Sequence, residues 1–154
     1  MTKHLCRSLA ETEAATTLFL SNLVVNKDGA TVVGLLGDLG SGKTTFTQAL
    51  ARQLGVIERV TSPTFVIQKI YALNRGEALG ALKASPRFSR LIHIDAYRLH
   101  QPDELARLQW SEIIADPGNL VLIEWADRVL SLLPPEAHKI MFHFIDQETR
   151  EIKW

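Results

Sequence analysis

The chain contains 154 residues, of which 46% are apolar and 22% charged, the composition of a soluble globular protein with room for one domain-sized core. Basic and acidic side chains number 17 each, so the net charge gives no reason to expect tight binding to nucleic acid. The net charge does not exclude a local basic surface. The apolar runs are shorter than the ~20 residues of a membrane helix, the N-terminus lacks the apolar core of a secretion signal, and the single cysteine excludes an internal disulfide. We therefore expect one cytoplasmic domain, residues 1–154, that does not enter a membrane.

The first half of the chain predicts a helix, a strand, a second helix and a second strand. A helical stripe of apolar residues covers Glu11–Val25, with Thr12 as its N-cap. The run "TVVGLL" (31–36) predicts a strand buried on both faces, and "KTTFTQALARQLG" predicts a helix that closes at Gly55. Pro63 keeps "TSPTF" out of a helix, because the residue before a proline is extended, and "FVIQKIY" then predicts a strand.

The second half adds strands, short helices and a terminal hairpin. Residues 72–90 are small, polar and irregular, and they form one long predicted loop. "RLIHID" and "NLVLIEW" predict buried strands on either side of "PDELARLQWSEIIA", which predicts one or two short helices. "DRVLSLL" predicts another short helix, and "HKIMFHFI" and "REIKW" predict a hairpin. Together these elements predict an α/β fold, with a mainly parallel central sheet flanked by helices and antiparallel strands at its edges.

The segment "GDLGSGKTTF" fits the phosphate-loop pattern G-x-x-x-x-G-K-[ST] through Gly37, Gly42, Lys43 and Thr44. Glycines let successive backbone N–H groups turn toward an anion, and the following helix directs its positive dipole end at the same point. Lys43 is suited to the terminal phosphates and the Thr44 hydroxyl to Mg²⁺. Because a buried strand precedes the loop and a helix follows it, we expect a P-loop NTPase domain rather than an ordinary strand–turn–helix.

Two acidic residues stand at the ends of predicted strands. Asp95 follows "RLIHI" and Glu124 follows "LVLI". Ligands of open parallel sheets bind outside the carboxyl ends of the strands, so both acids are expected to project toward the phosphate loop rather than merely cap turns. Their spacing leaves two assignments open: one acid binds magnesium, directly or through water, while the other orients the attacking water.

Four segments in this order, "GDLGSGKTTF", "SPTF", "HIDAYRL" and "IEW", resemble the TsaE (YjeE) family over most of the chain. That family is the bacterial ATPase of tRNA threonylcarbamoyladenosine biosynthesis. The resemblance implies that ATP and Mg²⁺ are the cofactors and that TsaD and TsaB are the protein partners. ATP hydrolysis would support repeated turnover of that complex, which modifies the adenosine beside the anticodon, so tRNA is reached only indirectly.

The resemblance also implies roles for individual residues. The implied catalytic residues are Lys43, Asp95 and Glu124, of which Asp95 matches a family acid required for activity and Glu124, followed by Trp125, a magnesium-site acid. The implied metal site comprises Thr44, Glu124 and Asp95. The implied nucleotide contacts are Thr12 and Glu13 near the adenine base, the loop residues Gly37, Asp38, Leu39, Gly40, Ser41, Gly42, Lys43, Thr44 and Thr45, and Ser62 and Thr64 near the γ-phosphate.

Residues 72–90 depart from the family, because the segment is longer than the expected link. Its basic residues Arg75, Lys83, Arg87 and Arg90, against Glu77, indicate either a surface for a partner or tRNA or a solvated extension. Elsewhere the histidines show no metal-type clustering, and His93, Arg98 and Trp110 are interpreted as structural, with a switch-associated role as the alternative for His93.

These residues predict in-line hydrolysis of the γ-phosphate by water. No arginine is clearly placed as a cis finger, a residue worth ~10³–10⁵ in rate, so we expect slow hydrolysis alone and stimulation by partners. Two alternatives remain: a small P-loop kinase with residues 72–90 as its lid, and a nucleotide-gated binding module in which hydrolysis is incidental.

Overall fold

Seven strands and four α-helices form the part of the chain, residues 2–73 and 88–154, that a computed structural model describes. The strands are β1 (Lys3–Cys6), β2 (Thr31–Leu36), β3 (Gln68–Ala72), β4 (Arg90–Asp95), β5 (Asn119–Glu124), β6 (His138–Phe144) and β7 (Arg150–Lys153). The helices are α1 (Leu9–Asn22), α2 (Lys43–Gln53), α3 (Asp103–Ala106) and α4 (Trp110–Ala115), with 3-10 helices at Ala96–Arg98 and Ala126–Leu132.

All seven strands join one sheet in the order β1-β7-β6-β2-β5-β4-β3. The four central strands, β6, β2, β5 and β4, run parallel to one another. At one edge β3 pairs antiparallel with β4, and at the other β7 pairs antiparallel with both β6 and β1. The predicted α/β fold with a mainly parallel sheet and antiparallel edges is therefore confirmed.

The sheet separates two apolar cores. Alternation along β2 sends Val33 and Leu35 to one face, where they cluster with Phe19 of α1 and Phe46 of α2. Val32 points to the other face, into a cluster that includes Trp110 and Ile113 of α4 and Val129. Because both faces are covered, β2, β4 and β5 are buried almost continuously, which is why their sequences are nearly unbroken apolar runs.

The start of α1 corrects one expectation. The helix begins at Leu9 rather than Glu11, and its N-cap is Ser8, whose hydroxyl accepts the Glu11 N–H at 3.2 Å. Thr12 lies one turn further on and donates its hydroxyl to the Ser8 carbonyl at 3.2 Å, so it cannot act as the N-cap. Ser8 satisfies a helix-end N–H group that would otherwise be unpaired, and this fixes the first turn.

The segment "FVIQKIY" is only partly a strand. β3 starts at Gln68, because the Pro63 carbonyl accepts the N–H groups of Val66 (3.0 Å) and Ile67 (2.6 Å) in a turn and Ile67 has a φ of 67°.

The loop predicted over residues 72–90 is shorter at both ends, since Ala72 and Arg90 pair across β3 and β4. Arg90 forms an ion pair with Asp116 at 2.5 Å, whereas Arg75, Glu77, Lys83 and Arg87 lie outside the described residues.

The other predicted elements are confirmed with small shifts. The strands at 31–36 and 90–95 have the predicted bounds, two short helices separate β4 from β5, and β6 and β7 form the terminal hairpin. The segment "DRVLSLL" forms a 3-10 helix. Over residues 2–73 and 88–154, every helix falls short of the length and apolar character required to cross a bilayer.

Candidate functional site

The loop between β2 and α2 leaves a helix N-terminus free to meet an anion. Gly37, Gly40 and Gly42 adopt positive φ values of 140°, 74° and 102°, and α2 begins directly after them at Lys43. The first turn of α2 carries no acidic residue of its own. Unpaired N–H groups and a positive dipole end form the standard arrangement for binding phosphate.

Lys43 lies folded into this loop. Its side chain is 4% exposed, and its Nζ donates to the carbonyls of Gly37 (2.6 Å) and Asp38 (2.7 Å). The ammonium also lies 4.0 Å from the ring centre of Trp125, a cation–π contact. Burial lowers the pKa of Lys43, because removal from water disfavours the charged form, and the nearby carboxylate of Glu124 opposes this shift most strongly.

Glu124 ends β5 and has both carboxylate oxygens bonded. The Thr44 hydroxyl donates to Oε2 at 2.8 Å, and His93 Nε2 lies 2.8 Å from Oε1. Glu124 is 2% exposed and His93 fully buried. The first turn of α2 and the middle of β4 therefore hold this carboxylate from two sides.

Asp95 ends the neighbouring strand and is paired in register with Glu124. Its Oδ2 accepts the hydroxyls of Ser62 and Thr64, each at 2.6 Å, and its Oδ1 accepts the N–H of Tyr97 at 2.9 Å. The backbone N–H of Asp95 in turn donates to the carbonyl of Ile67 at 2.8 Å. Asp95 is thus the point at which the segment 61–67 is attached to the end of β4.

These groups line one cleft of about 490 Å³ at the carboxyl ends of the strands. Its walls are Leu39 to Thr45, Ser62, Thr64, Asp95, Tyr97, Glu124 and Trp125. A second cavity of about 220 Å³ shares Gly40–Gly42 and Thr45 with the cleft and extends to Thr12 and the β6–β7 turn. Together they form a larger compartment beside the loop and a smaller one beyond it.

The structure brings most of the predicted site residues together. Gly37 and Asp38 face Lys43 through their carbonyls, and Thr12 lines the smaller cavity. Glu13 lines neither cavity, because it pairs with Arg52 of α2 at 2.6 Å. Arg98 lies over the ring of Phe65 at 4.4 Å instead of lining the cleft. The predicted roles in catalysis and nucleotide binding stay predictions.

Sequence reasoning missed two contributors. Tyr97 lines the cleft and packs against Trp125 with 4.9 Å between ring centres. Arg150 donates from Nε to the Gly40 carbonyl at 2.9 Å and from Nη1 to the Asp146 carbonyl at 2.6 Å, which ties the phosphate loop to the β6–β7 turn. The segment "HIDAYRL" contained the signal for Tyr97, whereas a contact between residues 40 and 150 has no local sequence signal.

The donor set fits a magnesium nucleotide. The oxygens of Thr44 and Glu124 lie 2.8 Å apart, close to the ~2.9 Å between neighbouring ligands of an octahedral ion with bonds of 2.0–2.1 Å. Within residues 2–73 and 88–154, no three His, Cys, Asp or Glu side chains converge on one point. Magnesium sites that also use substrate phosphates need only one or two carboxylates, so the two observations agree.

The sheet, the loop and the cleft define a P-loop NTPase fold. The family model "Threonylcarbamoyl adenosine biosynthesis protein TsaE" matches residues 6–152, and the chain therefore belongs to the TsaE family. The crystal structure of Bacillus subtilis YdiB is similar with a TM-score of 0.66 and 30% identity, covering 98% of this chain and 82% of that one.

Two relatives carry the name "tRNA threonylcarbamoyladenosine biosynthesis protein TsaE". The protein of Rickettsia prowazekii is 32% identical over 148 residues, 96% of this chain and 90% of its own length. The protein of Bacillus subtilis is 38% identical over 121 residues, 79% of this chain and 66% of its own length. The family expected from the four segments is thus confirmed.

Proposed function

We propose that this chain binds and hydrolyses ATP with Mg²⁺ in tRNA threonylcarbamoyladenosine biosynthesis, as a partner of TsaD and TsaB. One observation carries the proposal: in a chain of the TsaE family, the Thr44–Glu124 pair and Asp95 line the same cleft as the buried ammonium of Lys43. Since all seven strands form one sheet, we also propose that residues 1–154 act as a single domain.

Each side chain has a task that follows from its contacts. Lys43 exchanges the carbonyls of Gly37 and Asp38 for phosphate oxygens, which bear full charge and therefore form stronger hydrogen bonds. Thr44 and Glu124 would hold Mg²⁺, which when bound neutralises charge on the phosphates. The positive end of α2 adds to this attraction for phosphate.

In this proposal Asp95 organises the attack of water. Its Oδ2 already accepts two hydroxyls, from Ser62 and Thr64, at 2.6 Å. An incoming water would meet the same acceptor, and the two hydroxyls would be free to turn toward the γ-phosphate. Asp95 would therefore link the position of the 61–67 segment to whether the attacking water is bound.

The cleft lacks one component of fast ATPases. Across the described ranges 2–73 and 88–154, no arginine lines the larger cleft. An arginine finger contributes ~10³–10⁵ in rate, so hydrolysis by the isolated chain is expected to be slow and to be stimulated by the partner complex.

The test measures phosphate release with and without TsaD–TsaB, together with repeated turnover of tRNA modification by that complex. We expect Asp95→Ala and Glu124→Ala to abolish both signals, and Glu112→Ala, an exposed acid on α4, to leave them unchanged. Fast turnover without partners would refute the proposal. Transfer of phosphate to a metabolite in place of phosphate release would indicate a kinase instead.

A further inference from the structure

We infer that His93 is a positioning residue for Glu124: its Nε2–H donates to Oε1 and turns Oε2 toward Thr44 and the metal site. The inference rests on the proposed function, because it concerns how the magnesium-site carboxylate is oriented. It concerns a side chain that, by sequence alone, reads as a structural histidine of the sheet.

Two contacts fix the orientation of the Glu124 carboxylate at the end of β5. Thr44 fixes one carboxylate oxygen and His93 the other, both at 2.8 Å. A carboxylate bonded at both oxygens cannot turn its plane without breaking a hydrogen bond, and breaking one in a buried site leaves a charged acceptor unpaired.

A buried histidine is energetically unfavourable at this position if its side chain only fills space. His93 is fully buried on the sheet face that packs against α2, and among the residues that the structure describes its Nδ1 finds no hydrogen-bond partner. A buried nitrogen without a partner loses the hydrogen bond that it makes with water in the unfolded chain, and an apolar side chain at this position would avoid that loss. The ring is therefore explained by its Nε2, the nitrogen that contacts Glu124.

The direction of the hydrogen bond follows from the chemistry of the two partners. An ionised carboxylate only accepts, so the proton lies on Nε2 of His93. Outer-shell residues that hold a metal-binding carboxylate typically change metal affinity by 10–100-fold when removed. His93 is expected to act in this way, through Glu124 and not through the nucleotide.

The first experiment measures how much Mg²⁺ is required for half-maximal binding of a non-hydrolysable ATP analogue, by calorimetry on the full chain. We expect His93→Leu to raise that concentration about 10–100-fold and His93→Gln, whose amide also donates, to restore it. His143→Leu, on an exposed position of β6, serves as the matched control and should bind as wild type does. Thermal unfolding of each variant without ligand identifies any that fail to fold.

A double-mutant cycle separates positioning from a structural role. In a Glu124→Ala background, which removes the carboxylate that His93 contacts, His93→Leu should cause no further change in the Mg²⁺ requirement. An undiminished effect there, or His93→Leu with wild-type Mg²⁺ dependence, would overturn the inference. Nitrogen-15 spectra of the metal-free protein should show the proton on Nε2, and a bare Nε2 would also overturn it. If wild type itself binds the analogue without needing Mg²⁺, the proposed function fails instead.

Discussion

Gly37 offers a direct test of why the phosphate loop starts where it does. This residue follows β2 directly and has a φ of 140°, and a Cβ placed on it would lie 2.3 Å from the carbonyl oxygen of Phe142 in β6. Real Cβ atoms essentially never come closer than 3.0 Å to such an atom, so backbone must move. Gly40, in the same loop, has a φ of 74° but open space around its Cβ position.

Comparing alanine substitutions at Gly37 and Gly40 distinguishes the cost of backbone strain from the cost of steric contact. Placing alanine at a left-handed position costs about 1–2 kcal/mol, and this is the whole effect expected for Gly40→Ala. At Gly37, a shift of about 0.7 Å between two packed strands adds an overpacking cost of about 1–3 kcal/mol. Gly37→Ala should therefore lower the free energy of unfolding by about 2–5 kcal/mol, a large part of the ~5–15 kcal/mol of a typical domain.

The assay is urea unfolding of the nucleotide-free protein, followed by far-ultraviolet circular dichroism, with the midpoint and slope fitted for each variant. Equal slopes are required for the comparison, since a changed slope would mean a changed unfolded or folded state. If Gly37→Ala were no more destabilising than Gly40→Ala, the packing of β2 against Phe142 would not be what demands glycine there.

Three further predictions test the electrostatics of the site and of the sheet edge. Thr44→Val, which removes the hydroxyl bonded to Glu124, should weaken Mg²⁺-dependent binding of an ATP analogue, while Thr44→Ser should keep it; calorimetry distinguishes the two. Burial lowers the pKa of Lys43, so below the ordinary lysine value the unfolded chain binds more protons than the folded one and stability rises with pH in that window. The unfolding free energy of wild type minus that of Lys43→Met should accordingly increase as the pH approaches 10.5, and a difference that does not vary with pH would contradict this. Lys153 and Lys3 lower the pKa of Glu151 to about 2, so the stability from this carboxylate is present above about pH 4.5 and is lost as the pH falls toward 2. Glu151→Gln should flatten that part of the acid unfolding curve.

The central elements could be predicted because their signals are local. β2, β4 and β5 are apolar on both faces; a glycine follows β2 directly, and β4 and β5 each end at an acidic residue, so the local sequence defines them. The local sequence does not predict β1, because only Cys6 of its four residues is buried and because it pairs with β7, at the other end of the chain. The N-cap of α1 was misplaced because Ser8 and Thr12 both suit that role, and only the backbone distinguishes them.

The features of the candidate site also differ in how well the local sequence predicts them. The phosphate loop and the two strand-end acids follow from motif and topology, since parallel neighbours must present their carboxyl ends together. The bond between His93 and Glu124 depends on the register of β4 against β5, in which Asp95 pairs with Glu124. The left-handed backbone of Ile67 and Trp125 likewise has no sequence signal, because neither residue type favours it.

The strand order sets when during synthesis the phosphate loop can be completed. β2 leads into the loop near residue 37, yet both its neighbours, β5 and β6, come from residues 119–144. Arg150, which holds the carbonyl of Gly40, emerges from the ribosome later still. A nascent chain therefore presents the loop sequence long before it has the framework that shapes it, since long-range parallel pairing forms late. The loop can therefore take its final shape only after the chain has been synthesised at least as far as Arg150.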